Sequence, residues 1–248
     1  MAHGNSVVAV SCLTLEARIA RGPGVSVLCG HASRVVASLE QAAERGVCGI
    51  ISFGIAGGLA PSLATGDWVI ASGVQTDEGW FPADHGWARR LVEALPGAVH
   101  ATIAAGDLPI ASPSEKRRLH GRSGAVAIDM ESHIAARIAA ARGIPFAACR
   151  VIIDDAHMQL PPAAVIGLGQ DGRPDLRAVL RSVAGQPSQL PALMRTARDA
   201  RIAWAALRRG RRWIGAGLGC PYLGSNSRPD IADEYPSHAE VPLPAHLA

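Results

Sequence analysis

Four acidic residues follow strand-like apolar runs or open the helices after them: Glu16, Asp107, Glu131 and Asp154. In an open parallel sheet, ligands bind beyond the carboxyl ends of the strands, so we expect these side chains near one site. A carboxylate beside a buried strand is costly unless it is paired or used. Carboxyl groups there can protonate a leaving group and stabilise a developing positive charge. Helix capping or ion pairing is the alternative role for each of the four.

A glycine-rich segment is the second candidate for ligand contact. Residues 47–53 have the length and β-branching of a buried strand, and the sequence GIAGG at 54–58 predicts a glycine turn. With no Cβ in the way, the main-chain N–H groups of Ala56, Gly57 and Gly58 could approach an anion or a sugar. A plain tight turn is the alternative.

Strand-like runs alternate with helical patterns along most of the chain. The runs are residues 6–12, 25–29, 47–53, 68–72, 98–104, 125–129 and 145–153. Apolar residues at helical spacing separate them, for example at 34–45 and 130–142. This alternation is typical of an α/β fold with parallel pairing and helices on the faces of the sheet. Residues 215–248 are rich in Gly, Pro and Ser, which predicts a loosely ordered extension to a domain over residues 1–214.

Charge and cysteine content exclude several classes of protein. The formal net charge of the 248 residues is +3, carried mostly by arginine, with Lys116 the only lysine. This charge is too weak and scattered to predict a nucleic acid partner. The five cysteines include no C-x-x-C pair. We therefore expect neither a disulfide scaffold nor a metal site.

The sequence predicts a cytoplasmic protein, because it has no N-terminal signal and no apolar stretch long enough to span a bilayer. Residues 199–214 nevertheless combine tryptophan with clustered arginine, which is typical of a helix in a membrane interface. Contact with the cytoplasmic face of a membrane is one expectation for this segment. A helix that packs on the domain with a basic solvent face is the other.

Three linked motifs carry a family resemblance. In chain order they read GIAGGLAPSLATGDWVIAS, AIDMESHIAARIA and CRVIIDDA. At these separations they resemble the nucleoside phosphorylase/nucleosidase superfamily, over about residues 6–158. Further segments look like its hopanoid-biosynthesis-associated phosphorylase branch: DEGWFPADHGWARRL, LPPAAVIGLGQDGRPD and SQLPALMRTARDAR. The resemblance implies a single three-layer α/β/α domain with a central mixed, mostly parallel twisted sheet.

The resemblance also implies roles for individual residues. Asp154 would protonate the departing purine at N7 or donate a hydrogen bond to it, because a purine anion leaves poorly. Glu131 would hold the ribose hydroxyls and Met130 would pack on the sugar. Asp129, in the same motif, belongs to the predicted substrate site. Glu16 matches the glutamate with which hydrolytic members position the attacking water.

Two positions depart from the family pattern. Ile55, within the predicted substrate site, lies where a serine often helps to hold the nucleophile, so the N–H groups of Ala56, Gly57 and Gly58 would take over that contact. Ile153 replaces the serine that commonly precedes the acidic aspartate. The hydrogen bond that steers the acid must then come from elsewhere.

The resemblance leaves the nucleophile open between water and phosphate. Glu16 favours water, because phosphate prefers arginine to a nearby carboxylate, whereas Arg34 could serve an anion. We expect no metal or organic cofactor, with phosphate as co-substrate if the reaction is phosphorolysis. Asp107 is expected to order the loop that lies alongside the purine in relatives.

The function implied by the resemblance is release of adenine from a nucleoside with a bulky apolar 5′ substituent. In the branch that this chain looks like, that nucleoside is adenosylhopane, a lipid of hopanoid biosynthesis. One alternative is a methylthioadenosine/S-adenosylhomocysteine-type nucleosidase that acts on a small substrate. Another is a nucleoside-binding protein with impaired catalysis. Members of the superfamily are homo-oligomers, so we expect a dimer.

Overall fold

The structure, a computed structural model, describes residues 6–30, 32–166 and 176–224. Within these ranges eight strands form one mixed sheet. The strands are β1 (Val7–Ser11), β2 (Val25–Cys29), β3 (Gly49–Gly58), β4 (Trp68–Thr76), β5 (Gly79–Pro82), β6 (Val99–Ala105), β7 (Ala127–Asp129) and β8 (Phe146–Asp154). Five of their pairings are parallel and three are antiparallel. The mixed, mostly parallel α/β sheet is therefore confirmed.

The sheet closes on itself, which an open parallel sheet does not. Its main order is β2-β1-β3-β7-β6-β4-β5, and β8 pairs with both β3 and β4. Strands β3, β8, β4, β6 and β7 thus form a ring. Strand β7 runs antiparallel to β3 but overlaps only its end, where Gly57 pairs with Ile128. The residues that follow β7 therefore reach the same place as the ends of β3 and β8.

Eight helices surround the described part of this sheet. They are α1 (Thr14–Ala20), α2 (Ala32–Arg45), α3 (His85–Ala94), α4 (Pro113–Ser123), α5 (Ser132–Arg142), α6 (Pro162–Ile166), α7 (Leu176–Gly185) and α8 (Leu190–Ile214). Helices α1, α3 and α8 contribute to one hydrophobic cluster, and α2 and α5 to another. Helices therefore cover both faces of the sheet, as in a three-layer domain.

Alternating residues of each inner strand feed these two clusters. In β1, Val7 and Ala9 belong to the cluster with α3 and α8, whereas Val8 and Val10 belong to the cluster with α2 and α5. Because successive side chains point to opposite faces, a strand that is buried on both faces is apolar along most of its length. This explains why the strand-like runs in the sequence are continuous and not alternating.

The prediction of a glycine turn at residues 54–58 is wrong, because β3 continues through Gly58. None of Gly54, Gly57 and Gly58 has a positive φ. These glycines provide space instead. A Cβ on Gly54 would lie 2.2 Å from Glu16 Oε1, and one on Gly58 would lie 3.2 Å from the carbonyl oxygen of Asp154. Residues 79–82, which lie outside the strand-like runs of the sequence, form β5.

The packed chain continues beyond residue 214, where the sequence places the start of an extension. Leu218 and Cys220 are buried in the cluster with α3 and α8. The Trp87 indole N–H donates to the carbonyl of Leu218 at 2.8 Å, and the Tyr222 hydroxyl donates to Asp84 at 2.8 Å. Residues 215–224 thus belong to the domain. The rest of the predicted extension, residues 225–248, lies outside the described residues.

Helix α8 packs on β8. In the segment considered for membrane contact, Leu207 and Ile214 lie in the core, whereas Ile202 and Trp213 are exposed. Of the helices in the described ranges, none combines the length and the apolar character needed to cross a bilayer. The basic segment is therefore first of all a helix that packs on the domain.

Gly210 of α8 should be needed for this packing. A Cβ at Gly210 would lie 2.2 Å from Cζ2 of the buried Trp68. Gly210→Ala should lower the free energy of unfolding by about 1–3 kcal/mol through overpacking, although alanine is the better helix former by about 1 kcal/mol. Urea denaturation measures the change.

Gly121→Ala in α4 is the matched control, because a Cβ there meets nothing within 4 Å. This substitution should stabilise the protein by up to about 1 kcal/mol. Similar effects at the two positions would argue against close packing of α8.

Candidate active site

One cavity brings together predicted residues from four distant parts of the chain. Glu16, Glu131 and Asp154 all line it, as do Asp129 and Met130. Ile55, Ala56 and Gly57 of β3 form a further part of its wall. These residues reach one place because the ends of β3, β7 and β8 meet there and α1 begins beside them.

Two predicted residues lie elsewhere. Gly58 is buried and pairs with Ala127 in the β3–β7 ladder. The Asp107 side chain is 85% exposed and lies 3.1 Å from His133 Nε2. The loop turns after β6 so that Leu108, Pro109 and Ile110, and not Asp107, face the cavity. Asp107 therefore does not line the cavity, and its expected role in ordering the loop stays a prediction.

A fully buried arginine in β8, Arg150, lies behind the cavity wall. Its Nε is 2.8 Å from Asp129 Oδ2, as an ion pair and not a directed hydrogen bond. Its Nη2 lies 3.5 Å from Glu131 Oε2 and donates to the hydroxyls of Ser52 and Ser132. The guanidinium thus links three strands and two acidic side chains.

Glu16 is held by main-chain donors. The N–H of Ile55 donates to Oε1 at 2.7 Å, and the N–H of Leu13 donates to Oε2 at 2.7 Å. Burial raises the pKa of Glu16, while Arg150 and these main-chain donors oppose the rise. Gly54 leaves the space that the carboxyl group occupies. Ile55 therefore holds Glu16 through its backbone N–H, although its side chain has no polar group.

Glu131 is a further acidic side chain of the cavity whose pKa is raised. Burial raises the pKa of Glu131 to about 7, Asp129 and Glu16 add to the rise, and Arg150 and a hydrogen bond with Cys12 oppose it. Both oxygens of Asp129 are occupied within the protein. They accept from the N–H groups of Glu131 and Ser132, at 3.0 and 2.8 Å, and from the Ser132 hydroxyl. Asp129 therefore orients its neighbour, and its carboxylate is not free for a ligand.

Asp154 has a second buried cation as its partner, Lys116 of α4. Lys116 is fully buried and its Nζ donates to Asp154 Oδ2. Burial raises the pKa of Asp154, while Lys116 opposes the rise. The side-chain donor absent at Ile153 in β8 is thus supplied by Lys116 of α4.

The sequence reasoning missed Lys116 and Arg150 as site residues. Each carried a signal: Arg150 is a charge inside an apolar strand, and Lys116 is the single lysine of an arginine-rich chain. Charged side chains are almost never fully buried unless they are paired. Among the described residues, no group of three or more His, Cys, Asp or Glu side chains is arranged to hold a metal ion.

The chain belongs to the phosphorylase superfamily, whose family model matches residues 1–184. None of the curated proteins matches it in sequence. Membership of this family makes the chain an enzyme of the nucleoside phosphorylase/nucleosidase type.

Several solved nucleosidases share the fold. The 5′-methylthioadenosine/S-adenosylhomocysteine nucleosidase of Helicobacter pylori is similar with a TM-score of 0.60 and 13% identity, over 86% of this chain and 97% of that one. The futalosine hydrolase of the same organism has a TM-score of 0.58 and 14% identity, over 84% and 97%. The S-adenosylhomocysteine nucleosidase of Streptococcus pyogenes has a TM-score of 0.55 and 16% identity, over 84% and 98%.

The ionisation of Glu131 should affect the pH dependence of stability. Because its pKa rises on folding from 4.5 to about 7, its stabilising contribution is complete below pH 4.5 and is lost as the pH rises through about 7. Glu131→Gln should remove this loss, flattening the free energy of unfolding across that range by about 1–3 kcal/mol. Urea denaturation at several pH values measures it.

Glu93→Gln is the control, because Glu93 lies on α3 with its side chain 69% exposed. The free energy of unfolding of Glu93→Gln should change with pH in the same way as that of the wild type. If the free energies of unfolding of the wild type and of Glu131→Gln changed with pH in parallel, the pKa of Glu131 in the folded protein would have its ordinary value.

Proposed function

We propose that this protein cleaves the N-glycosidic bond of an adenine nucleoside that carries a bulky apolar 5′ substituent, with adenosylhopane as its substrate. The observation that carries the proposal is the convergence of Glu16, Glu131 and Asp154 on one cavity whose remaining wall is largely apolar. The reaction breaks the bond between C1′ and the purine. The bonding electrons leave with the base, which takes a proton.

Each of the three acidic residues suits one part of this reaction. Asp154 protonates the leaving purine, a contribution of about 100- to 10,000-fold for general acid catalysis. Glu131 accepts hydrogen bonds from the ribose hydroxyls and lies near the positive charge that develops on the sugar. Glu16 orients the water that adds to C1′, so the products are adenine and the free sugar.

The cavity lining supports water over phosphate as the nucleophile. Among the described residues that line the cavity, none is an arginine or a lysine. Arg34, the candidate anion ligand, is exposed and is not among them. A phosphate group would prefer such cations to the carboxylate of Glu16. Phosphorolysis is the alternative for the same site.

The apolar part of the cavity supports an apolar 5′ substituent. Leu108, Pro109 and Ile110 line it from the loop after β6, and Leu160 and Ala164 from the segment after β8. Leu108 is 77% exposed, so this part lies at the rim. An open apolar rim suits a substituent that extends out of the cavity.

A small-substrate nucleosidase is the second candidate. Solved structures of similar fold are nucleosidases named for 5′-methylthioadenosine and S-adenosylhomocysteine, and an apolar rim also suits a methylthio group. The impaired-catalysis alternative loses part of its basis. Glu16 is held through the Ile55 N–H, and Lys116 supplies Asp154 with a donor despite Ile153.

Membrane contact and dimer formation complete the proposal. An adenosyl-lipid would be held in a bilayer, and Trp80, Ile202 and Trp213 are exposed apolar side chains that could contact one. A homodimer is proposed from the family resemblance, and light scattering of the purified protein measures it.

Adenine release from adenosylhopane in lipid vesicles tests the activity directly. We expect release without phosphate and a sugar product with the mass of the hydrolysed form. Asp154→Asn should lower kcat by about 100- to 10,000-fold. Flotation of the same vesicles measures membrane binding. Release from methylthioadenosine but not from adenosylhopane would favour the small-substrate enzyme, and a phosphate-dependent reaction would identify a phosphorylase.

Leu108 should discriminate between the two substrate classes. Leu108→Asp should raise KM for adenosylhopane about tenfold or more, since one buried leucine contributes about 1.5–3 kcal/mol, and should change KM for methylthioadenosine much less. Leu180→Asp is the matched control, because Leu180 is 69% exposed and does not line the cavity. An equal change for both substrates in Leu108→Asp would contradict a lipid-specific rim.

A further inference from the structure

We infer that Lys116 is the positioning residue for the Asp154 carboxyl group: it holds Oδ2 inside the protein and leaves Oδ1 for the leaving purine. This inference rests on the proposed function, because it assigns a role in the same reaction. Lys116 lies 38 residues before Asp154 and on a different element.

Lys116 has no solvent contact, although it belongs to an exposed basic helix. Arg117 and Arg118, its neighbours in α4, are exposed, whereas Lys116 is 0% exposed. Helix α4 begins after Ser112, whose hydroxyl accepts from the N–H of Glu115 at 3.3 Å. This cap sets where the helix starts and so which of its basic residues faces inward.

The three contacts of Nζ define its chemical state. It donates to Asp154 Oδ2, to the carbonyl of Asp155 at 2.6 Å and, weakly, to the carbonyl of Met158 at 3.5 Å. A lysine ammonium group has three donors and no acceptor, so it matches three acceptors, whereas a neutral amine would not. Lys116 is therefore a fixed positive charge that joins the acid to the chain immediately after β8.

The contact between Lys116 and Asp154 provides a charged donor in place of the serine that commonly precedes the aspartate in the family pattern. At Ile153 there is no side-chain hydroxyl to orient the carboxyl group. A charge-assisted hydrogen bond is about twice as strong as a neutral one, and an ammonium group also stabilises the carboxylate that remains after proton transfer. Positioning and charge thus come from the same side chain.

Three charged groups around Asp154 influence its pKa. They are Lys116 on α4, Asp155 after β8 and Asp199 on α8. Lys116 favours the carboxylate, whereas the two aspartates and burial favour the protonated acid. Removal of Lys116 should therefore raise the pKa of Asp154 further. The basic limb of the kcat profile should then move to higher pH.

A double-mutant cycle on kcat for adenine release tests the coupling. Lys116→Met should lower kcat by about 10- to 100-fold, as part of the contribution of general acid catalysis, with little change in KM. In the Asp154→Asn background, Lys116→Met should lower kcat further by less than about twofold, because the effects of coupled residues are not additive. Arg117→Met, on the exposed face of the same helix, should leave kcat unchanged. Additive losses, or a basic limb that does not move in Lys116→Met, would overturn the inference.

A readout without turnover uses the fact that Lys116 is the only lysine. Protein grown with 15N-labelled lysine gives one side-chain Nζ signal in NMR. In the wild type this signal should shift with pH at the basic limb of kcat, and in Asp154→Asn the shift should vanish. This measurement needs no folded Lys116→Met variant. A shift that persists in Asp154→Asn would show that Lys116 senses another group and would refute the pairing.

The two readouts separate the two proposals. An Asp154-dependent shift with no adenine release from any nucleoside would refute the proposed function, and with it the catalytic part of this inference, while leaving the pair itself. Adenine release with additive losses in the cycle would refute the inference and leave the proposed function standing.

Discussion

The site depends on one buried positive charge, that of Arg150. An unpaired ion in a protein interior costs several kcal/mol, and Arg150 is completely enclosed. Its charge is shared by Asp129, Glu131 and Glu16, all of which raise the pKa of the guanidinium. One cation cannot neutralise three carboxylates, and burial raises the pKa of Glu131 to about 7. The arrangement of β3, β7 and β8 keeps these four side chains within reach of each other.

The acidic residues of the cavity fall into two groups, and each group is held by one buried cation. Arg150 serves the side of Glu16 and Glu131, which we assign to the sugar and the nucleophile. Lys116 serves the side of Asp154, which we assign to the leaving base. Since both cations lie behind the cavity wall, neither presents a positive surface to an anionic ligand. Their effect on a substrate passes through the acidic residues that they hold.

The remaining wall decides which nucleoside fits. The loop after β6 and the segment after β8 contribute apolar side chains to the rim, and Thr196 of α8 completes it. Membership of the phosphorylase superfamily defines the class of chemistry, whereas the 5′ substituent depends on these less regular segments. Loops on a rigid scaffold commonly determine specificity in this way. The same catalytic groups could therefore serve a lipid nucleoside or a small thioether.

Local sequence was enough to predict much of the fold and the main acidic residues. Apolar runs and helical spacing identified most of the strands and helices, because side-chain period reflects local geometry. The motifs brought Glu16, Glu131 and Asp154 into one predicted site, and the structure places all three in one cavity. The roles assigned to them stay predictions.

Only the tertiary structure decided which charges are buried and why the glycines are there. The partners of Arg150 and Lys116 lie far away in the chain: Ser52 is 98 residues from Arg150, and Asp154 is 38 residues from Lys116. A local pattern cannot encode such contacts, so it predicts the strand of Arg150 but not the partners of its charge. For the same reason GIAGG predicts a turn, although its first glycine makes room for Glu16. Burial of a charge is a property of the assembled neighbours, and these are known only once the chain has folded.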